Sequence, residues 1–229
     1  MYNLIYNYID LLLHPVKSHQ DLANEREKLE KVKKSRDFSL VDDDLHESRE
    51  EKKNFILDFA SFATISWAFV LIFAIYSLIF FHFGQYLSDG LSEDGFLASV
   101  LGGSLFQKKV FIISLLFEAV FFPLAAWVYI KFWRVIISFF ANLFDKNVER
   151  ESLDEVVNTS LVGNFFLLIP ILGKMIKSVS QIFYIFIGLK HNLKFTTTQS
   201  FIVVISPLIF IAMFMLFMAM YVMLIINLY

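Results

Sequence analysis

The sequence predicts an all-α fold: a polytopic membrane bundle of about five transmembrane helices behind an amphipathic and charged helical N-terminal arm. Three observations predict it. Hydrophobic residues are 57% of the chain and charged residues only 18%, whereas soluble domains are near half apolar and a quarter charged. The 28 Phe residues are more rings than a soluble core of this length can bury. The charges are unevenly placed, most of them before Asn54 and the rest at the ends of apolar runs.

The same composition narrows the function classes. A net charge of -2 gives no basic signal for nucleic acid. Cys is absent, which excludes disulfides, thiolate metal sites and a thiol nucleophile. The first residues lack a basic region and a small-residue cleavage site, so no cleavable signal peptide is expected.

Residues 1–54 form the arm and residues 55–229 the membrane domain. Met1 to Val16 is too short to cross a bilayer. Leu4, Ile5, Ile9, Leu12 and Leu13 recur at helical spacing with Asn3, Asn7 and Asp10 between them. That pattern fits a helix lying in the interface plane, or one packed on the protein's own bundle. Pro15 should end it. Residues 20–53 are dense in both charge signs. Glu25 to Lys34 should be a solvated helix carrying the i,i+4 pairs Glu27–Lys31 and Glu30–Lys34. A role in binding a partner is the second reading of this face.

The spans are expected at about 58–83, 110–130, 156–172, 175–189 and 201–228. Residues 84–109 form a loop. Its segment 96–106 could dip into the interface, but Gly102-Gly103 argues against a full crossing. Lys131, Trp133 and Arg134 close the second span as inner-interface anchors, and Lys190 does so for the fourth. Residues 135–144 continue the second helix along the inner surface. Ser152 and Glu155 are spaced as a capping box. Gly173 to Lys177 is so short a turn that spans three and four should form an antiparallel hairpin.

Basic residues set the orientation. With the N-terminus cytoplasmic, only Lys108, Lys109, Lys174 and Lys177 fall outside, and every other Lys and Arg falls inside. That is a positive-inside distribution, and it puts the C-terminus outside. The short arm favours a bacterial cytoplasmic (inner) membrane, with an endomembrane as the alternative.

Two segments carry a family resemblance. Leu143 to Gly173 contains L-F-D-K, S-L-D-E-V-V-N-T-S-L-V and L-L-I-P-I-L-G. Ile187 to Pro207 reads I-G-L-K-H-N-L-K-F-T-T-T-Q-S-F-I-V-V-I-S-P. With an opening helix that ends at His14-Pro15, this resembles the Yip family, Ypt-interacting membrane proteins that have bacterial relatives. Where members usually have Gly-Gly or Gly-Lys after the second span, this chain has Asp145-Lys146. The resemblance covers most of the membrane region. It implies five helices and a cytosolic N-terminus, and for eukaryotic relatives an association with vesicle trafficking and small GTPases. For the bacterial type it implies no particular activity.

The matching residues have structural work. Pro170 lacks an N–H and should break helix three at a tight turn. Gly173 should take positive φ there. Gly188 suits close helix packing. Pro123 and Pro207 lie within spans, and Pro123 should free the carbonyl of Ala119.

Glu118 is the most informative single residue. It lies roughly 12 Å below the outer end of the second span at 1.5 Å per residue. A carboxylate there needs a partner, a proton or a wet cavity. Asn164 and Gln181 fall at similar depth, so Glu118, Asn164 and Gln181 are the candidate polar cluster. Its two readings are register-fixing hydrogen bonds, or a path for protons, ions or lipid headgroups. No His spacing suits zinc, Asp42-Asp43-Asp44 lacks the pattern of a calcium loop, and no catalytic or nucleotide motif is present. No cofactor or metal is expected. Met213, Met215, Met218, Met220 and Met223 read as adaptable packing.

The sequence therefore points to a non-enzymatic scaffold or adaptor. Its expected partners are the bilayer, a cytosolic protein met through the arm, and further copies of the chain. The alternative is a small transporter or lipid-handling protein built around Glu118. A membrane enzyme comes third, since catalysis needs several convergent polar groups.

Overall fold

The computed structural model describes residues 2–36, 59–90 and 105–228. All the elements among these residues are helical: α1 (Tyr2–Leu13), α2 (Pro15–Arg36), α3 (Phe59–Gly90), α4 (Leu105–Leu143), α5 (Arg150–Ser160), a 3₁₀ stretch (Leu161–Leu168), α6 (Gly173–His191) and α7 (Thr197–Leu228). Residues 37–53 of the charged segment, including Asp42 to Asp44, lie outside the described residues, as does Gly102-Gly103.

Among the described residues three helices are long and apolar enough to cross a membrane: Phe59–Gly84, Lys109–Leu143 and Thr197–Ile226. Their side chains are largely exposed, including Trp67, Ile75, Leu116, Trp127 and Phe214. Apolar surface of this extent is stable only against lipid or another protein. The segment expected to hold spans three and four does not form a pair of such helices. It folds as α5, the 3₁₀ stretch and α6, and its first leg is the most continuously buried stretch among the described residues. Val156, Val157 and Val162 are fully buried. α3, α4 and α6 pack around this leg.

Several boundaries differ from the sequence expectation. α3 runs on to Gly90 and α4 begins at Leu105, so the 84–109 loop is largely helical at both ends. α4 passes through Lys131, Trp133 and Arg134 without a break. Trp133 is 6% exposed and packs edge-on to Tyr129 and Phe132, so it is a core residue and not an interface anchor. A Schellman turn ends α4: Asp145 takes φ 52, Lys146 N–H reaches Ala141 O and Asp145 N–H reaches Asn142 O. Asp145 thus closes the turn in the left-handed conformation without a glycine.

α5 starts at Arg150 with Glu149 as N-cap and no side-chain cap bond. Ser152 is therefore inside the helix and buried, and the expected capping box does not form. The box that does form is at α7. Thr196 N–H donates to Gln199 Oε1 at 3.0 Å, and Gln199 N–H donates to Thr196 Oγ1 at 3.2 Å.

Candidate functional site

The 3₁₀ stretch sits in the middle of the bundle, and its tighter winding gives poorer backbone hydrogen-bond geometry than an α-helix, so its carbonyls take donors from outside. Two helices supply three hydroxyls. Tyr8 Oη of α1 donates to Leu161 O and Val162 O at 3.4 and 3.3 Å. Ser66 Oγ of α3 donates to Leu161 O at 3.1 Å. Tyr76 Oη, also of α3, donates to Leu167 O and, at 3.4 Å, to Ile169 O. Non-helical backbone at membrane depth is tolerated where protein buries it and satisfies it. α1 is fixed by the same bonds and by Tyr184 Oη donating to Leu12 O at 2.9 Å. Its Tyr8 and Leu11 enter the core while Ile5, Tyr6, Ile9 and Leu13 stay exposed. The docked reading describes the inner face of this helix, and its outer face is exposed and apolar.

Glycines let the hairpin close. A Cβ on Gly163 would lie 2.8 Å from Gln181 Cγ, and one on Gly188 would lie 2.6 Å from Val156 Cγ1. Gly173 does not take positive φ. That conformation belongs to Ile171, φ 66, in the turn after Pro170. Gly173 opens α6 instead, and a Cβ there would lie 2.7 Å from Phe166 O. The requirement is close approach of backbones, not a left-handed turn. Pro123 and Pro207 lie inside α4 and α7.

The candidate cluster is distributed. Glu118 Oε2 accepts from Lys174 Nζ at 2.7 Å. Asn164 is fully buried, and its Nδ2 donates to Leu161 O at 2.8 Å. Gln181 packs against Gly163. Among the described residues no hydrogen bond joins these three side chains to one another. Lys174, assigned from sequence to an outer turn, is the partner that was missed. The signal for it was the rule that an intramembrane acid needs a counter-charge.

The second polar centre lies where the arm meets the hairpin base. Arg26 of α2 pairs with Glu155 of α5 and donates to Asn192 Oδ1 at 2.9 Å. Asn192 Nδ2 donates to Glu155 Oε2 at 3.2 Å. Arg134, the other expected anchor, pairs with Asp154 of α5, while Lys131 lies over the Trp127 ring at 5.7 Å and Lys190 is in the last turn of α6. His19 is fully buried, with Nε2 3.4 Å from Thr159 Oγ1 and Cε1 against the Gly188 gap. Burial, reinforced by His191, lowers its pKa to about 4.

α2 is thus docked on one side, and only its outer face is solvated. At the edge of that face the Glu27–Lys31 pair closes at 3.1 Å, and it holds the Glu27 carboxyl below its ordinary range, with Lys194 of the hairpin base adding to the effect. Pro15 begins α2 while the helix before it stops at Leu13, consistent with the fixed φ of proline at a first helical position. Between α2 and the hairpin base lies a cavity of about 170 Å³ lined by Arg26, Glu27, Glu149, Ser152, Asn192 and Lys194.

Among the described residues no group of three His, Asp or Glu gathers as a metal site. No family model, curated protein or solved structure matches the chain.

Proposed function

We propose that the chain is a multi-pass membrane scaffold or adaptor of the Yip type that performs no chemistry of its own. In this reading the arm is cytoplasmic, the C-terminus lies outside, and the membrane is a bacterial cytoplasmic one. The observation that carries the reading is the docked arm. Arg26, Glu155 and Asn192 lock one face of α2 to the hairpin base. The opposite face, with Asp21, Asn24, Glu25, Lys28 and Lys31, stays exposed. A charged helix held rigidly beside a membrane is suited to recognising a protein by charge pattern, with little ordering cost on binding.

The test compares two variants in cells for membrane level and for the phenotype of a deletion strain. Reversing the exposed charges (Glu25→Lys, Lys28→Glu, Lys31→Glu) should abolish complementation while the protein still accumulates in the membrane. Glu118→Gln should complement. If Glu118→Gln alone abolishes complementation, the adaptor reading is wrong.

A further inference from the structure

The tip of the α5–α6 hairpin does not reach the far ends of the helices that hold it. Lys174 Nζ lies 2.7 Å from Glu118 Oε2 and 4.9 Å from the centre of the Phe73 ring, and Tyr76 Oη reaches Ile169 O. Glu118 is nine residues into α4 from Lys109, roughly 14 Å at 1.5 Å per residue. Phe73 and Tyr76 are eleven and eight residues short of Gly84 on α3, roughly 12–17 Å by the same rise. Two helices therefore place the tip at a similar level, roughly 12–17 Å short of the ends of their apolar stretches.

The tip is charged and open. The Lys174 and Glu118 side chains are 53% and 31% exposed. The surface around them is apolar, with Phe117, Ile171, Leu172 and Met175 all exposed. Lys177, half-buried, follows Lys174 by three residues on α6, so the two lysines share one helix face beside the single carboxylate of Glu118. The first turn of α6 carries no acid, and its free N–H groups add positive potential. An excess positive charge bordered by lipid-facing apolar side chains is costly unless an anion covers it. A free anion would have to cross that apolar surround, whereas an anion that carries acyl chains fits it.

We propose that Lys174 and Lys177 at the hairpin tip bind the phosphate of a phospholipid, drawn below the membrane surface to a hairpin that is re-entrant. The bilayer thins locally there, and Glu118 sets the charge of the site by neutralising one of the two lysines.

The chain has no Cys, so Ile171→Cys places a single thiol at the tip. In sealed vesicles of phosphatidylglycerol and phosphatidylcholine, a membrane-impermeant maleimide should not label it until detergent is added. Labelling in intact vesicles from either side overturns the depth assignment. Native mass spectrometry of the protein released from those vesicles reads phospholipid retained per chain. Lys177→Gln, which leaves the Lys174–Glu118 pair intact, should lower retention about fivefold, a modest difference in affinity. Glu118→Gln should leave retention unchanged or raise it. A parallel fall in both variants means the three residues only hold the hairpin together, and the proposal fails. Displacement of the bound lipid by inorganic phosphate in Glu118→Gln would likewise overturn it, since the site would then select a free anion.

Discussion

The Trp67 indole N–H donates to the carbonyl of Ala119 at 2.7 Å, four residues before Pro123 in α4. Pro123 has no N–H, so Ala119 is the carbonyl that the helix leaves open. α3 closes the gap that the proline makes, and the kink-prone point of α4 becomes its attachment to α3. Trp67→Phe should destabilise the fold by about 1 kcal/mol, typical of an interhelical hydrogen bond in a bilayer. In a Pro123→Ala background the helix supplies its own donor, so the same substitution should cost clearly less. Reversible unfolding in mixed micelles, run as a double-mutant cycle, measures the coupling.

Packing at the glycines predicts an order of damage. At Gly173 a methyl group would meet the backbone of Phe166, at 2.7 Å from its carbonyl oxygen, and backbone in a buried hairpin cannot step aside. At Gly188 the obstacle is the Val156 side chain, at 2.6 Å, and a β-branched side chain in a helix has one preferred rotamer. Gly173→Ala should therefore be the more destabilising, and Gly188→Ala should lose about 1–3 kcal/mol as an overpacked core does. Val156→Ala should recover part of the Gly188→Ala loss and none of the Gly173→Ala loss. Thermal aggregation midpoints in one detergent rank all four variants.

Arm docking should depend on pH through His19. Its pKa is 6.5 when unfolded and is pushed down to about 4 by burial, so the neutral imidazole is the form that docks. A lowered pKa on a base means that the undocked state binds more protons between these values. Stability is complete above about 6.5 and is lost as pH falls towards 4. The groups facing His19 offer no relief. Thr159 is uncharged, and His191 is itself a base whose own pKa burial lowers. Hydrogen exchange of residues 17–28 should accelerate between pH 6.5 and 5, and His19→Gln should flatten that change. The Glu27 carboxyl, also lowered, adds a separate loss at the acid end of the range.

Helical membrane character was legible because composition and run length carry it directly. The three long helices follow from apolar stretches that no soluble core could hide. The hairpin was legible only as a turn at Pro170 and Gly173. Its interior was not, because nothing in L-V-G-N-F-F-L-L distinguishes a 3₁₀ stretch from an α-helix. That choice is made by Tyr8, Ser66 and Tyr76, which lie far away in sequence. Trp133 misled for the opposite reason. An aromatic beside two basic residues is the usual sign of an interface, yet Arg134 is turned inward by Asp154 and the ring follows into the core. Glu118 announced that it needed a partner, but its nearest cation came from a residue counted as part of an exposed turn.

The link between arm and hairpin makes the last prediction. Arg26 and Glu155 are 20% and 17% exposed, so their pairing is screened less than a surface ion pair and loses more when one member is removed. Arg26→Met leaves the Glu155 carboxylate with Asn192 alone, and should weaken arm docking by about 1–3 kcal/mol, between the surface and fully buried cases. Glu155→Gln keeps an acceptor for Asn192 but removes the charge. The double variant should then be less damaged than the sum of the two singles, because neither leaves an unpaired ion. Spin labels at Glu25→Cys and Lys190→Cys, introduced into a chain that has no other thiol, read the α2-to-α6 distance. A single short distance should broaden in Arg26→Met, narrow again in the double variant, and respond little to 1 M salt. An unchanged distribution in Arg26→Met would mean that the apolar side of α2 alone holds the arm.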